Sequence, residues 1–489
     1  MSKGKNKKAA ASSPTPAKPN GLLSPTHLLL GALFGLLVQL LLGYFGIGVG
    51  SYLFQQNSSR VPPLPLDPPP CPAAWPNCPR SVDLHWDDVL ELQSSAATTP
   101  SRASLAACDA PSLLSPQKVP GMHLLCVLPP PEGEHRRAAA TLAAFPDMLR
   151  TAKQPSAIIV PPQLRTVAQL ISTVYHSLKL THKGGKYQLP ALFNDEGIRI
   201  QSVQGALKQR RLLLMEGGQW IWPPVDVGHV HSLPGLIPGQ VTKVVTVSLK
   251  PLVVSVENFL SPGENEHIIR RAMPHMAKSG VALKDADKGK AAKEFRTSSQ
   301  YFLPTVGDAL LEAVDRRVMM LTRIPISHAE YIQVLKYEYK EHYSAHHDFF
   351  DPKAYANNPE MIASIENGAM NRLATVFFYL NNVTAGGQTN FPRAQACITA
   401  EYPNGGPQPW DYFDCSKGLS VFPQEGKVII FYSMLPNGEM DDFSLHGGCD
   451  VLAEGEAKWS ANFWLWNKPY HFISKARKRA TDELEAQYL

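Results

Sequence analysis

The chain has 489 residues, of which 18% are charged and 44% apolar, with 43 prolines against 34 glycines. So low a charge content excludes a coiled coil or an acidic disordered chain, and the apolar share is enough for a sizeable core. The net charge of +5 resides in Lys3, Lys5, Lys7, Lys8 and Lys18; without them 42 basic residues balance 42 acidic ones, which argues against a nucleic-acid-binding face.

Residues 1–26 read as a disordered, basic cytosolic tail. Residues 27–54 are almost wholly apolar, longer than the ~20 residues that cross the hydrocarbon as a helix and too long for the apolar core of a cleaved signal peptide. Lysines precede this run and Arg60 is the only early basic residue after it, so the positive-inside rule places the N-terminus in the cytosol and the bulk of the chain in a lumen. Residues 55–110 form a Pro-rich stalk or linker, with nine prolines between Pro62 and Pro79. All seven cysteines lie beyond the anchor, where disulfides persist. Sequence spacing suggests the pairs Cys71–Cys78, Cys108–Cys126 and Cys397–Cys415, with Cys449 left over. Asn57 and Asn382 stand in glycosylation sequons.

From 111 to 247 the pattern is globular but carries no chemical motif. Leu124–Leu128, Ala157–Val160 and Arg211–Met215 read as strands, and Thr166–Leu180 has helical spacing. Trp220 and Trp222 read as packing aromatics, His229 and His231 as surface histidines. From 248 to 470 two helix candidates, Asn265–Met276 and Gly307–Leu321, precede β-rich runs at Tyr331–Lys340, Leu373–Leu380, Val428–Tyr432 and Trp459–Trp466. Helices followed by antiparallel-looking strands predict an α+β unit with a sheet sandwich or barrel. Gly386-Gly387 marks a tight turn, and residues 471–489 read as a charged, helix-prone tail.

The informative stretch is Tyr337-Glu-Tyr-Lys-Glu-His-Tyr-Ser-Ala-His-His-Asp348. On an extended chain residues two apart share a face, so His346 and Asp348 present an imidazole and a carboxylate to one ion, and His347 points away. The distant His446 supplies a third donor. Two His and one carboxylate leave half an octahedron open, as non-haem Fe(II) oxygenases require, whereas a structural zinc site closes four positions. His342 and His346 have the spacing of a helical metal pair, but the aromatic, β-rich neighbourhood argues against a helix. Lys458, flanked by apolar and aromatic residues, reads as a buried, paired ammonium suited to the terminal carboxylate of a small diacid.

With these residues in place, the roughly 220 residues from Leu249 to Asn467 resemble the catalytic domain of the prolyl 4-hydroxylases, among the Fe(II)/2-oxoglutarate dioxygenases. The matches run in order: Val256-Glu-Asn-Phe-Leu-Ser261; Arg296-Thr-Ser-Ser299; the Tyr337–Asp348 strand; Asn371-Arg-Leu-Ala-Thr375; Gly386-Gly-Gln-Thr-Asn-Phe-Pro392; Cys415-Ser-Lys-Gly418; Pro423-Gln-Glu-Gly426; His446-Gly-Gly-Cys449; and Lys458-Trp459. The N-terminal anchor is similar to that of the transmembrane, type II members.

The resemblance implies a double-stranded β-helix (jelly-roll) domain with flanking helices over 248–470, preceded by one transmembrane helix and an unassigned lumenal region. It implies that His346, Asp348 and His446 bind Fe(II), that Lys458 holds the distal carboxylate of 2-oxoglutarate with Tyr337 and Thr389, and that Tyr343, Arg372 and Trp464 line the peptide groove. Trp464 would meet the proline ring, and Arg372 would donate two hydrogen bonds to a peptide carbonyl. The implied cosubstrates and cofactors are 2-oxoglutarate, O2, Fe(II) and ascorbate, and the implied partner is a proline-containing protein or peptide hydroxylated at C4 of proline. The implied location is the endoplasmic reticulum or Golgi membrane, with a homodimer left open. Two departures stand out. The His446–Lys458 spacing is two residues longer than in the family, which predicts a wider turn at Glu454–Ala457, and Lys340-Glu341 replace a common Gly-Gln. The alternatives are a related oxygenase acting on peptidyl lysine and a non-catalytic, membrane-anchored binding protein.

Overall fold

The computed structural model describes residues 108–130, 138–150, 155–181, 189–394, 415–416, 418–470, 479, 481–483 and 485. The expected cytosolic tail and membrane helix, nearly all of the stalk, Cys71, Cys78, Cys397 and the Asn57 sequon lie outside them. Among the described residues no helix is long and apolar enough to cross a membrane.

The first sheet has five antiparallel strands: β1 (Met122–Leu128), β2 (Ala140–Phe145), β3 (Ser156–Val160), β4 (Ala191–Phe193) and β5 (Arg211–Met215), in the order β3-β2-β1-β5-β4. Helix α1 (Val167–Leu178) covers one face: Leu170 and Val174 pack on Leu125, Leu142, Leu212 and Leu214. A capping box between Thr166 and Gln169 fixes the start of α1, each side chain accepting from the other residue's backbone N–H. The helix α2 (Val203–Leu207) begins at the Ser202 cap. The alternate residues of β1 and β5, Leu124, Cys126, Leu213 and Met215, point the other way, into a core shared with the rest of the chain.

That core lies against a nine-stranded sheet. Its strands are β6 (Val230–Ile237), β7 (Gln240–Leu249), β8 (Leu252–Val256), β9 (Ala277–Lys278), β10 (Ser299–Leu303) and β11 (Ile332–Tyr337), with β13 (Arg372–Tyr379), β16 (Val428–Tyr432) and β18 (Lys458–Trp466). The order is β6-β7-β8-β16-β13-β18-β11-β10-β9. The strands β6 and β7, nearly all of which precede the expected start of the catalytic domain at 248, thus form the edge hairpin of this sheet. Four shorter strands, β12 (Tyr343–His346), β14 (Thr389–Phe391), β15 (Leu419–Val421) and β17 (His446–Gly448), pair as β12-β17-β14-β15. Period-two alternation divides the central strands between two cores. Val376, Phe378, Ile430, Tyr432 and Val334 face the helices α3 (Pro262–Ala272) and α4 (Ala309–Thr322) and the five-stranded sheet. Phe377, Tyr379, Ile429, Phe431, Leu335 and Tyr337 face Phe391 and Val421 of the small sheet. Two antiparallel sheets closed over an apolar layer make the jelly-roll sandwich expected from the resemblance. A last helix, α5 (Pro359–Ser364), lies between β12 and β13 in the chain.

Cys108 pairs with Cys126 as expected. Cys415 does not pair with Cys397: it is bonded to Cys449, 34 residues away in sequence, so Cys449 is not the leftover thiol. The reason is topological. β14 lies between β15 and β17, which brings the segment entering β15 close to the residue leaving β17, although sequence spacing favours the nearer cysteine. The cross-link ties together a sheet whose strands have only three or four residues. By loop-closure entropy a bridge of this span contributes about 4 kcal/mol. Cys449→Ser is therefore expected to lower the denaturant midpoint of the oxidised protein by that order of free energy; an unchanged midpoint would show that the small sheet does not need the tie.

Candidate active site

The small sheet brings two histidines from opposite ends of the domain side by side. His346 ends β12 and His446 opens β17, and the two are directly paired across the strands, with ring centroids 4.5 Å apart. Each Nδ1 donates to the carbonyl two residues back, His346 to Ser344 (2.9 Å) and His446 to Ser444 (2.9 Å). A carbonyl only accepts, so the proton sits on Nδ1 in both rings and each Nε2 offers its lone pair. Asp348 lies between them: Oδ1 is 3.8 Å from the His346 Nε2 and Oδ2 is 3.6 Å from the His446 Nε2. The three donor atoms lie within 4.8 Å of one another, and among the described residues no fourth His, Cys, Asp or Glu joins them. The chemistry of this donor set, two imidazoles and one carboxylate, suits one shared ion with coordination positions left for other ligands.

Electrostatics hold the donors in their ligating forms. Burial alone would raise the Asp348 carboxyl, but His446, Arg372 and His346 and a 2.6 Å hydrogen bond from the Thr375 hydroxyl more than offset it, leaving the carboxyl at about 2. Burial, reinforced by His446, pushes the His346 imidazolium well below its ordinary range, so that ring is neutral near pH 7. His347 points away, toward the Asp442 carbonyl at 3.1 Å, as the strand alternation requires. His342 contacts Asp450 at 2.8 Å rather than His346.

Lys458 opens β18 directly opposite Tyr337 of β11. Its side chain is among the largest fully buried ones, with Nζ 5.2, 5.4 and 5.9 Å from the ring centres of Tyr337, Phe377 and Tyr379. Among the described residues no carboxylate pairs with it, and burial pushes the ammonium down to about 7. Thr389 sits in the same layer, its hydroxyl accepting from the Tyr379 hydroxyl at 2.8 Å. Gly387, at φ +69°, lies against the lysine: a Cβ there would come within 3.3 Å of Lys458 Cδ. A buried cation without an anionic partner is costly, and a carboxylate is the complement that this apolar cradle would accept. The longer His446–Lys458 connection turns at Ala453–Glu456, where the Glu456 carboxylate accepts from the Thr384 amide (2.9 Å) and hydroxyl (2.8 Å), so the extra residues are absorbed before β18 begins. Lys340 takes φ +62°, a left-handed conformation that glycine adopts without the steric cost a Cβ brings.

Tyr343 stacks on His346 with centroids 3.7 Å apart, and Trp464 lies under the Arg372 guanidinium at 3.4 Å. Arg372 has a partner that the sequence does not mark: its Nε and Nη2 donate to Glu330 at 2.7 and 3.2 Å, which leaves the Nη1 hydrogens and one Nη2 hydrogen outside that pair. Nη1 lies 3.7 Å from Asp348. Glu330, Thr375 and the two serine carbonyls are site residues that sequence reading misses. The repeated Ser-x-His of Ser344–His346 and Ser444–His446 is the one legible trace of them. Arg296 is buried, 4.5 Å from the Tyr343 ring, and donates from Nε to Ser298 at 2.9 Å. This gives the Arg-Thr-Ser-Ser element a place beside the histidine.

Residues 332–466 match the model of the 2OG-Fe(II) oxygenase superfamily. Prolyl 4-hydroxylase 2 of Arabidopsis thaliana is 37% identical over 226 residues, which is 46% of this chain and 70% of the relative. Probable prolyl 4-hydroxylase 3 of the same plant is 36% identical over 222 residues, 45% of this chain and 70% of the relative. Among solved structures, the viral collagen prolyl hydroxylase vCPH from Paramecium Bursaria Chlorella virus-1, in its 2OG complex, is 22% identical over 44% of this chain and 95% of its own, with a TM-score of 0.29. The chain belongs to the prolyl 4-hydroxylase family and is a 2-oxoglutarate- and Fe(II)-dependent dioxygenase.

Proposed function

We propose that this protein is a membrane-anchored peptidyl-proline 4-hydroxylase acting in the secretory pathway, in the endoplasmic reticulum or Golgi, on proline-rich chains of the procollagen type. The observation that carries the catalytic reading is one apolar layer holding both halves of the machinery: three convergent donors, and a buried ammonium with no carboxylate partner among the described residues. The location rests on the apolar run at 27–54 behind a lysine-rich tail, and on the two disulfides, which suit an oxidising compartment.

In this reading His346, Asp348 and His446 hold the iron, and Lys458, Tyr337 and Thr389 hold 2-oxoglutarate. The chemistry supplied when both are bound is oxidative decarboxylation of the keto acid by O2, yielding succinate and CO2, coupled to hydroxylation at C4 of a peptidyl proline. The protein's own tasks are positional. The Ser344 and Ser444 carbonyls orient the ligating rings, and Thr375 fixes Asp348. Lys458 neutralises the distal carboxylate in a site from which Phe377 and Tyr379 exclude water. Tyr343 and Trp464 offer flat apolar faces to the proline ring, with Arg372 locked by Glu330 as the backing of Trp464.

Peptide-dependent release of CO2 from 2-oxoglutarate labelled at C1, read alongside the mass of the peptide, tests the reaction. The expected result is release coupled to one added oxygen on proline. An added oxygen on lysine would establish the other enzyme, and iron binding with no coupled release would establish a binding protein.

Lys458 gives the reaction a pH signature. In the free protein its pKa of about 7 lies below the ordinary 10.5, so the fold favours the neutral amine, and stability rises with pH between those values. A bound dianion favours the ammonium, so binding takes up a proton above pH 7. The affinity for 2-oxoglutarate is expected to be greatest below about pH 7 and to fall by up to roughly tenfold per pH unit above it. Lys458→Met should weaken 2-oxoglutarate binding and abolish this dependence; an unchanged slope in the variant would assign the proton elsewhere.

A further inference from the structure

The stretch that leaves β5 passes between the five-stranded sheet and the oxygenase core. There Gly217 N–H donates to the Pro436 carbonyl, Trp222 Nε1 donates to the Leu321 carbonyl (3.0 Å), and the Trp222 N–H is bonded to the Tyr432 hydroxyl (3.2 Å). Between these anchors Gln219, 8% exposed, sends Nε2 to the carbonyl of Asn467 at 3.2 Å. Asn467 follows β18 and is locked to Asn371 in both directions: its N–H donates to the Asn371 carbonyl (3.0 Å), and its Oδ1 accepts the Asn371 N–H (2.9 Å). Its Nδ2 donates to the Ala369 carbonyl at 3.1 Å. Asn371, fully buried, passes the connection on. Its Nδ2 donates to the Phe350 carbonyl (2.9 Å), and its Oδ1 accepts from the N–H of Phe350 (2.9 Å) and of Arg372 (3.0 Å). Phe350 is two residues beyond Asp348; its ring lies 4.9 Å from the Arg372 guanidinium and is stacked on Trp466.

We propose that Gln219 is a positioning residue for the peptide side of the site, acting through Asn467 and Asn371 on Phe350 and Arg372, so that the N-terminal sheet region braces the substrate groove of the oxygenase. The links from Gln219 to Asn467 and from Asn467 to Asn371 are buried and those from Asn371 to Phe350 and Arg372 are partly buried, so removing the first donor takes a partner from the Asn467 carbonyl and loosens the segment beyond it. The two histidine donors and Lys458 are held apart from this path, and Asp348, which Arg372 approaches at 3.7 Å, keeps its own 2.6 Å hydrogen bond from Thr375. His346 and His446 are held by Ser344 and Ser444 within the small sheet, and Lys458 stands at the opposite end of β18 from Asn467. A brace of this kind therefore acts selectively, which a general loosening of the fold does not.

The proposal rests on the reading of Arg372 as part of the peptide groove, and the experiment separates the two. Steady-state kinetics are measured on the full chain with poly(L-proline) as the peptide, for Gln219→Met, Gln219→Ala, Arg372→Ala and the Gln219→Met/Arg372→Ala double variant. Both Gln219 variants are expected to raise the KM for poly(L-proline) about three- to tenfold, with the KM for 2-oxoglutarate and the iron content at the wild-type level, and the Gln219→Met effect is expected to vanish in the Arg372→Ala background. A peptide KM unmoved by both Gln219 variants while Arg372→Ala raises it would overturn the brace alone. So would equal losses in peptide KM, 2-oxoglutarate KM and iron content, or additive effects in the double variant. A peptide KM unmoved by Arg372→Ala would remove the groove assignment of Arg372, and the route through it with it.

Discussion

The site depends on one constraint: Asp348 must stay ionised in an interior that gives it almost no water. A carboxylate so desolvated is unfavourable unless positive or hydrogen-bonding groups surround it. The fold supplies them from β13, whose Thr375 hydroxyl donates to Asp348 at 2.6 Å and whose Arg372 guanidinium lies 3.7 Å from it. Arg372 is itself held by Glu330, and Glu330 also accepts from Trp466, so the charges alternate outward from Asp348 until they meet the rings of Trp464 and Trp466. An ion placed among the three donors would complete this arrangement, adding positive charge where the two Nε2 lone pairs face the carboxylate.

Meeting that constraint dictates much of the architecture. The ligands come from positions 100 residues apart, so only a sheet pairing can bring them within one coordination sphere. β12 and β17 are too short to be stable alone and are supported from three sides: by β14 and β15, by the Cys415–Cys449 bond, and by the layer of Phe391, Phe431 and Tyr379 beneath. Phe431 presses on His446 with ring centres 4.4 Å apart, so the apolar layer that folds the sandwich also immobilises a ligand. Lys458 is the inverse of Asp348: a buried cation that has no carboxylate partner among the described residues.

How much of this was legible in the sequence follows the length and periodicity of each element. β5 and β16 match the runs read from alternation residue for residue, and β13, β18 and α1 agree to within two residues at either end, because long amphipathic or apolar runs carry their own signal. β14, β15 and β17 do not: three residues each, with glycine in β17, give no period to read. The run from Tyr331 to Lys340 ends as a strand at Tyr337, since Lys340 turns into the left-handed region. The convergent donors His346, Asp348 and His446 and the buried Lys458 are legible because their side chains are chemically distinctive in an apolar setting. Glu330 was not, since a lone glutamate has no local mark of its partner 42 residues away. The Cys415–Cys449 bond was misread for the same reason: spacing carries no information about which strands lie side by side. The N-terminal region showed strands but no chemistry, and its tie to the site, Gln219 to Asn467 across 248 residues, exists only in three dimensions.

The most direct measurement is an anaerobic titration of the protein with Fe(II) in the presence and absence of 2-oxoglutarate, following bound iron and the visible charge-transfer absorption of a keto acid chelated to ferrous iron. The predicted result is one iron per chain, an absorption band that appears only with 2-oxoglutarate, and loss of both in His446→Ala. Iron retained at full occupancy in His446→Ala, or bound iron with no band at saturating 2-oxoglutarate, would contradict convergence of the three ligands on one open centre.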